Sequence, residues 1–464
     1  MDNKEKLHIA MFPWLAYGHI MPFFQVAKFL VEKGHHVYFI STPKNIHRLP
    51  QIPNNLSSQL IFVQLPLPLV QGLSEGAESP ADLPIHKAPY LKQAYDMLQL
   101  PFINFLKNSQ VTWIIQDFAS YWLPSAAAQL GVNTVYFSIV NATTCSFFGS
   151  PADLINGRFQ KAEDLTMVPQ WINFNSNIKF KLHDIMRGQQ ECKDSVSDLY
   201  RYGTVLKDCC AVIVRSCPEF EPEAFTVFSK LLQKPVLPVS LLPPSMQDYT
   251  VADSKWQVLK DWLDTKKERS VVYVALGTLL TLSQELMHEL AYGLEKSGFP
   301  FIWVINKRPL VEGKMGSDLV PHGFEDRVSG QGLIWMDWAP QLRILAHSSV
   351  GGFLTHSGWS SVIEALGLGR PLIMLTGGSD TGLVARIMHR RVGLEIERDD
   401  KDGSFTSERV AKSIRQVLVE KEGEPLRANA LAMRETFGNM ELRNKYLEEF
   451  NRFIENNTAP NRSI

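Results

Sequence analysis

Apolar and polar positions along the chain fall into a repeated order of run, turn and helical stretch. Residues 7–15 are nearly all apolar. The turn Ala16-Tyr17-Gly18-His19 follows, then an amphipathic stretch to Lys33, then a second apolar run at 36–41. A parallel strand buried on both faces reads as uninterrupted hydrophobic sequence, so this order predicts a βαβ unit. Strands are predicted at 60–65, 111–115 and 211–215, with helices at 90–107 and 194–207 and a short acidic helix closing the first half. Residues 51–89 and 141–187 read as largely irregular. A Pro-rich shift, from Lys234-Pro235 through Leu242-Pro243-Pro244-Ser245 to about Ser254, then breaks the pattern and marks a domain boundary.

Beyond it the alternation restarts with a strand at 271–276, the turn Gly277-Thr278, a helix at 283–297 and a strand at 301–305. Residues 338–381 carry the densest pattern. An apolar run at 350–355 leads into the polar turn His356-Ser357-Gly358-Trp359-Ser360-Ser361, then a helix, a strand and a polar loop opening another helix. Repeated βα units predict an α/β protein with two doubly wound sheets. The expected domains are 1–245 and 246–440, with a helix near 441–454 and a disordered tail from Glu455.

Composition narrows the function classes. The 464 residues suffice for two α/β domains, each with its own core. Lys and Arg total 47 against 48 Asp and Glu, a net charge of −1, so nothing favours nucleic acid or an anionic membrane. No apolar run approaches the roughly 20 residues of a membrane span, and no signal peptide opens the chain, so the cytosol is the expected location. Cys145, Cys192, Cys209, Cys210 and Cys217 are odd in number and lack C-x-x-C spacing, which argues for a reducing compartment and no zinc site. Asp399-Asp400-Lys401-Asp402-Gly403 lacks EF-hand spacing and reads as a solvated turn, so no metal is expected.

The candidate chemistry sits at strand ends. A helix N-terminus at 356–361 suits a phosphate, and His356, Ser360 and Ser361 add donors there. Trp338 offers a flat face to a base. Glu364, one turn into the helix, suits both hydroxyls of a ribose, and Asp380 with Thr381 lies beyond the phosphates. Base, ribose, phosphate and polyhydroxyl group in order outline a nucleotide sugar. Taken singly, the same residues have plainer readings: Ser361-x-x-Glu364 is also a capping box, and Trp338 also suits a core. In the first half, His19 after the first strand and Asp117 after the strand at 111–115 reach one sheet edge. Together they form a base and its orienting carboxylate, although each alone also suits a turn or cap. No G-x-G-x-x-G or Walker pattern occurs.

At these residues the chain resembles the plant family-1 UDP-dependent glycosyltransferases. The resemblance rests on Trp338-Ala339-Pro340-Gln341 and on the spacing T-H-x-G-W-x-S-x-x-E from Thr355 to Glu364. It implies a GT-B fold, two Rossmann-like domains facing across a cleft, with the C-terminal segment 441–464 packing back across both. It further implies that Trp338 stacks on uracil, that the Ala339 backbone pairs with it, and that Gln341 and Glu364 hold the ribose. His356, Ser360 and Ser361 would hold the diphosphate, with Thr278, Gly358 and Trp359 completing the donor site and Asp380 and Thr381 on the sugar. His19 and Asp117 match the family's catalytic His and Asp. Two positions depart from the family: Ser360 replaces the usual Asn, and Thr381 the usual Gln. Thr offers one hydroxyl where a Gln amide spans two, a difference of about 1–2 kcal/mol of hydrogen bonding to glucose. UDP is therefore the expected carrier, with glucose, rhamnose and xylose competing as cargo.

The stretch FPWLAYGHIMPF and the tetrapeptide DGSF further resemble the subgroup that extends sugar chains on glycosides. The expected reaction is inverting, metal-free transfer to a hydroxyl of a plant flavonoid or terpenoid glycoside. The partners would be a UDP-sugar co-substrate and a small acceptor, with no other cofactor, no nucleic acid and a monomeric state. Trp14, Phe118, Tyr121 and Phe147 would line the acceptor pocket, with core packing as the equal alternative for each. Direct glycosylation of an aglycone, UDP-sugar binding without transfer, and epimerase or phosphorylase chemistry are the other readings.

Overall fold

The computed structural model describes residues 6–52, 56–159, 161–174, 177–186, 195–244, 253–277, 280, 282–305, 320–378 and 380–458. Two parallel sheets carry the chain. The first contains β1 (His8–Phe12), β2 (His36–Ser41), β3 (Leu60–Gln64), β4 (Trp113–Gln116), β5 (Asn133–Ser138), β6 (Ala211–Val214) and β7 (Val236–Pro238), in the order β3-β2-β1-β4-β5-β6-β7. The second contains β8 (Val271–Ala275), β9 (Phe301–Val304), β10 (Gly332–Trp335), β11 (Val350–Thr355), β12 (Leu372–Met374) and β13 (Gly393–Glu395), in the order β10-β9-β8-β11-β12-β13. Each sheet reverses direction once, between β1 and β4 in the first and between β8 and β11 in the second. Ligands of doubly wound sheets bind beyond the strand ends at that reversal, because there the flanking helices diverge. This is the GT-B architecture.

Burial explains why the strands read as apolar runs. Every residue of β4, β6 and β11 is buried, as a sheet covered by helices on both faces requires. A third core lies in the seam between the halves. There Phe147, Phe180 and Phe220 of the first half pack with Trp359, Val384 and Met388 of the second. The terminal helix, Met440–Asn456, inserts Leu447, Phe450 and Ile454 into the core of the first half, three residues spaced along one helical face. Its Tyr446 hydroxyl donates to Glu219 Oε1 at 2.8 Å. No described helix is long and apolar enough to cross a membrane.

Several expectations need correction. β1 stops at Phe12 because Pro13 cannot continue the ladder, and the helix has begun by Tyr17, so His19 lies in its first turn rather than in a loop before it. The helix expected over 90–107 is two helices, Ala88–Asp96 and Gln99–Lys107. Val236–Pro238, read as the start of a linker, is the edge strand β7, where a proline is tolerated because one side of the ladder is unpaired. The stretch 141–187, expected to be largely irregular, carries three short α-helices, Ala142–Phe147, Pro151–Ile155 and Leu182–Met186, between irregular segments. Residues 455–458, expected to be disordered, extend the terminal helix and its end, where Thr458 Oγ1 accepts from the Trp113 indole at 2.8 Å.

Candidate active site

The reversal point of the first sheet holds a histidine–aspartate pair. Register sets it: Phe12 at the end of β1 lies beside Gln116 of β4, so the residues following each strand meet. Asp117 is 1% exposed. Its Oδ1 accepts the Phe118 backbone N–H at 2.7 Å and its Oδ2 accepts that of Trp14 at 3.0 Å. The carboxylate is thus fixed by backbone before it meets His19, whose Nδ1 lies 2.8 Å from Oδ2. A carboxylate only accepts, so Nδ1 carries the proton and Nε2 is left as the acceptor. The imidazole, 22% exposed, keeps contact with solvent space. A base of fixed tautomer beside open space is what removal of a hydroxyl proton requires.

The reversal point of the second sheet packs a histidine between two glycines at a helix N-terminus. Thr355 pairs with Ala275, which brings Gly277 after β8 against His356 after β11. A Cβ on Gly277 would stand 2.5 Å from His356 Cε1, and one on Gly358 2.5 Å from Nε2, so the ring fits only between two glycines. Burial lowers the His356 pKa to about 4, which keeps it neutral near pH 7. Its Nδ1 has no hydrogen-bond partner among the described residues. Ser357 holds a left-handed backbone, φ 69°, a strained state that a non-glycine residue keeps only where its surroundings impose it. Gly358 then caps the helix Trp359–Gly367. Thr278 lies outside the described residues.

Farther along that helix, Glu364 accepts from Gln341 Nε2 at 2.7 Å, and the same nitrogen lies 3.3 Å from Ser361 Oγ. Burial raises the Glu364 pKa to about 7, against the opposing hydrogen bond from Gln341 and the charge of Arg215. Trp338 is half exposed, its backbone N–H held by Asp337 Oδ1 at 2.8 Å. Trp338, Ala339, Gln341, Ser360, Ser361 and Glu364 line one cavity of about 250 Å³. Tyr17 and Gly18, next to His19, line the same cavity from the other half. The predicted nucleotide residues and the turn bearing the predicted base therefore share a crevice. A larger cavity, about 400 Å³, lies elsewhere between the halves against Thr143, Phe220, Arg386 and Arg391, and holds none of the predicted catalytic or donor-binding residues.

Not every predicted residue reaches the crevice. The Trp359 indole packs on Phe220 and Phe437 and donates to the Arg215 carbonyl at 2.8 Å, so its side chain belongs to the seam core rather than to a binding surface. Phe147 has no exposed surface and sits edge-on to Phe148 and Phe180, which corrects its assignment to a pocket wall. Phe118 lies beside His19, ring centres 5.9 Å apart, and Trp14 is buried behind it. Tyr121 turns toward Arg201, whose guanidinium carbon is 4.9 Å from the ring centre. Trp171 is tied to the Ser146 carbonyl. Phe174 borders the larger cavity. Asp380 and Thr381 begin the helix Asp380–Met388, outside the 250 Å³ cavity, and Thr381 Oγ1 donates to the Gly378 carbonyl at 2.6 Å. Sequence reasoning missed Arg215 altogether. It stands one residue past β6 and lines the 250 Å³ cavity with no motif around it.

Residues 244–427 match the family model described as UDP-glucoronosyl and UDP-glucosyl transferase. UDP-glycosyltransferase 91C1 of Arabidopsis thaliana is 46% identical over 98% of this chain and 98% of its own length. The chain belongs to the plant family-1 UDP-glycosyltransferases. These are enzymes with a UDP-sugar as co-substrate. Soyasaponin III rhamnosyltransferase of Glycine max is 39% identical over 97% of this chain and 95% of its own. Among solved structures, Arabidopsis thaliana UGT89C1 complexed with UDP-L-rhamnose covers 97% of this chain and 99% of its own at 24% identity, with a TM-score of 0.74, and shares the fold.

Proposed function

We propose that this glycosyltransferase inverts configuration as it moves a glucosyl or rhamnosyl group from UDP to a sugar hydroxyl of a flavonoid or terpenoid glycoside. The observation that carries the reading is the shared crevice. One wall holds Tyr17 and Gly18, next to the His19–Asp117 pair, and the other holds Trp338, Glu364 and the helix N-terminus at Ser360. In this mechanism His19 Nε2 takes the acceptor's proton, and Asp117 stabilises the imidazolium. The acceptor oxygen forms a bond to the anomeric carbon from the face opposite UDP. The bond from that carbon to the phosphate oxygen breaks, and its electron pair leaves with UDP. Uracil stacks on Trp338 against the Ala339 backbone, and the ribose hydroxyls donate to Glu364 beside Gln341. His356, Ser360, Ser361 and the Gly358 backbone face the diphosphate.

We take 1–245 as the acceptor-binding domain, 246–440 as the donor-binding domain, and 441–464 as the segment that ties them. Phe118, adjacent to His19, is the aromatic best placed to meet an acceptor. Two points favour a deoxy sugar over glucose. Thr381 has spent its proton on the Gly378 carbonyl and retains only acceptor capacity, and a relative 39% identical is named a rhamnosyltransferase. The test is a panel of UDP-glucose, UDP-rhamnose and UDP-xylose against aglycones and their monoglycosides, read by UDP release and product mass. Release only with a glycoside present supports the proposal. Release with aglycones alone would assign direct glycosylation instead, and binding without release would leave a UDP-sugar-binding protein.

A further inference from the structure

Arg215 comes from the first half and reaches into the donor site of the second. It is 3% exposed. Its Nε donates to the Leu241 carbonyl at 3.0 Å and its Nη2 to the Leu242 carbonyl at 3.2 Å. Its Nη1 donates to Ser360 Oγ at 2.6 Å, and its own carbonyl accepts from the Trp359 indole. The guanidinium is therefore pinned against the first turn of the helix Trp359–Gly367, on the wall of the cavity that also contains Gly277 and Ser361. Two independent features of one sign meet there: a fixed cation and the unpaired N–H groups of a nine-residue helix. Ser360 adds a third. One of its lone pairs accepts from Arg215, which leaves the hydroxyl proton available to donate.

We propose that Arg215 is a donor-binding residue, which supplies the UDP diphosphate with positive charge from the opposite half of the molecule and orients Ser360 toward it. The inference rests on the reading of this crevice as the UDP-sugar site. Ser360 is shorter than the Asn that the family usually carries, and Arg215 fills the role its side chain cannot reach. When the bond to the anomeric carbon breaks, the electron pair stays on the terminal phosphate oxygen. A guanidinium already in place stabilises that charge without rearrangement.

Calorimetric titration of UDP and of uridine into the full-length wild type, Arg215→Met and Arg215→Lys tests this, at about pH 8.5 so that Glu364, whose pKa the Arg215 charge lowers, is largely ionised in every variant, and with circular dichroism and thermal melts reporting the fold. Uridine lacks the diphosphate and controls for general damage. Arg215→Met is expected to weaken UDP by about tenfold or more and to leave uridine within about twofold; Arg215→Lys keeps the charge but not the fork and falls between. The donor KM rises and kcat falls in the same order. Parallel weakening of UDP and uridine would make Arg215 a structural residue and overturn the inference, as would unchanged UDP affinity. If Arg215→Met does not fold, Arg215→Lys decides by the same ratio. A wild type that binds neither ligand would instead overturn the reading of the donor site, and the inference with it.

Discussion

Glu364 should make nucleoside binding depend on pH in a way the structure quantifies. Its carboxyl is buried and its pKa stands near 7 instead of 4.5. Ionising it in the free protein therefore costs about 3.4 kcal/mol more than in water, at about 1.4 kcal/mol per pH unit. Two ribose hydroxyls donating to the carboxylate return about 1.5–3 kcal/mol each, about 3–6 kcal/mol together, which offsets most or all of that cost. The bound form is then the carboxylate, and binding releases the proton that the free protein holds. With a free pKa of about 7, roughly 3% of the protein is ionised at pH 5.5 and roughly 90% at pH 8, so uridine should bind about thirtyfold more tightly at pH 8. Uridine is the ligand of choice because it has no phosphate to titrate in this range. Calorimetry at pH 6 in buffers of different ionisation enthalpy should count close to one proton released.

Stability carries the opposite sign. Between the unfolded pKa of 4.5 and the folded value near 7 the native state holds a proton that the unfolded chain has lost, so this group's contribution falls as pH rises through that window. Glu364→Gln should remove the slope, raise stability at pH 8 by up to about 3 kcal/mol, and bind uridine weakly at every pH. Wild-type uridine affinity that stays flat from pH 5.5 to 8 would refute the reasoning.

Three further outcomes are expected. His19→Ala should lower kcat by about a hundred- to ten-thousandfold with UDP affinity unchanged in titration, and full turnover would remove His19 from the mechanism. Thr381→Gln should raise the kcat/KM ratio of UDP-glucose to UDP-rhamnose by about five- to thirtyfold, the equivalent of about 1–2 kcal/mol; an unmoved ratio means that position does not read the sugar. Gly277→Ala and Gly298→Ala both place a side chain at positive φ, 69° and 76°, but only the first drives a Cβ into His356. Melting curves should show about 1–3 kcal/mol of strain in each, and UDP titration a loss of affinity in Gly277→Ala alone. Equal UDP affinity in the two would show that His356 is not held for the diphosphate.

Much of the architecture is readable in the residues because strands buried on both faces announce themselves as apolar runs. The run at 350–355 is β11 to the residue. The helix expected over 283–297 is there too, with Ser283 as its cap rather than its first residue. What escaped depends on partners distant in sequence. β7 is three residues beside prolines, and only pairing with β6 makes it a strand. Phe147 and Trp359 look like any aromatic near a site until the seam between halves buries them. Arg215 is a lone cation after a strand, and its meaning comes from Ser360, distant in the chain but 2.6 Å away across the seam. The Asp399–Gly403 loop, read as a solvated turn, is exposed from Asp399 to Asp402, and what the sequence does not show is that the Asp400 carbonyl accepts from the His183 backbone N–H of the first half. Local pattern fixes elements, whereas contacts between the halves decide which side chains face the crevice.

The most direct measurement is a crystal structure of the enzyme soaked with UDP. The account predicts uracil against Trp338, both ribose hydroxyls within hydrogen-bond distance of Glu364, and the terminal phosphate at Ser360 and Ser361, pointing toward His19. UDP bound elsewhere, or seated with its terminal phosphate turned away from the His19–Asp117 pair, would contradict it.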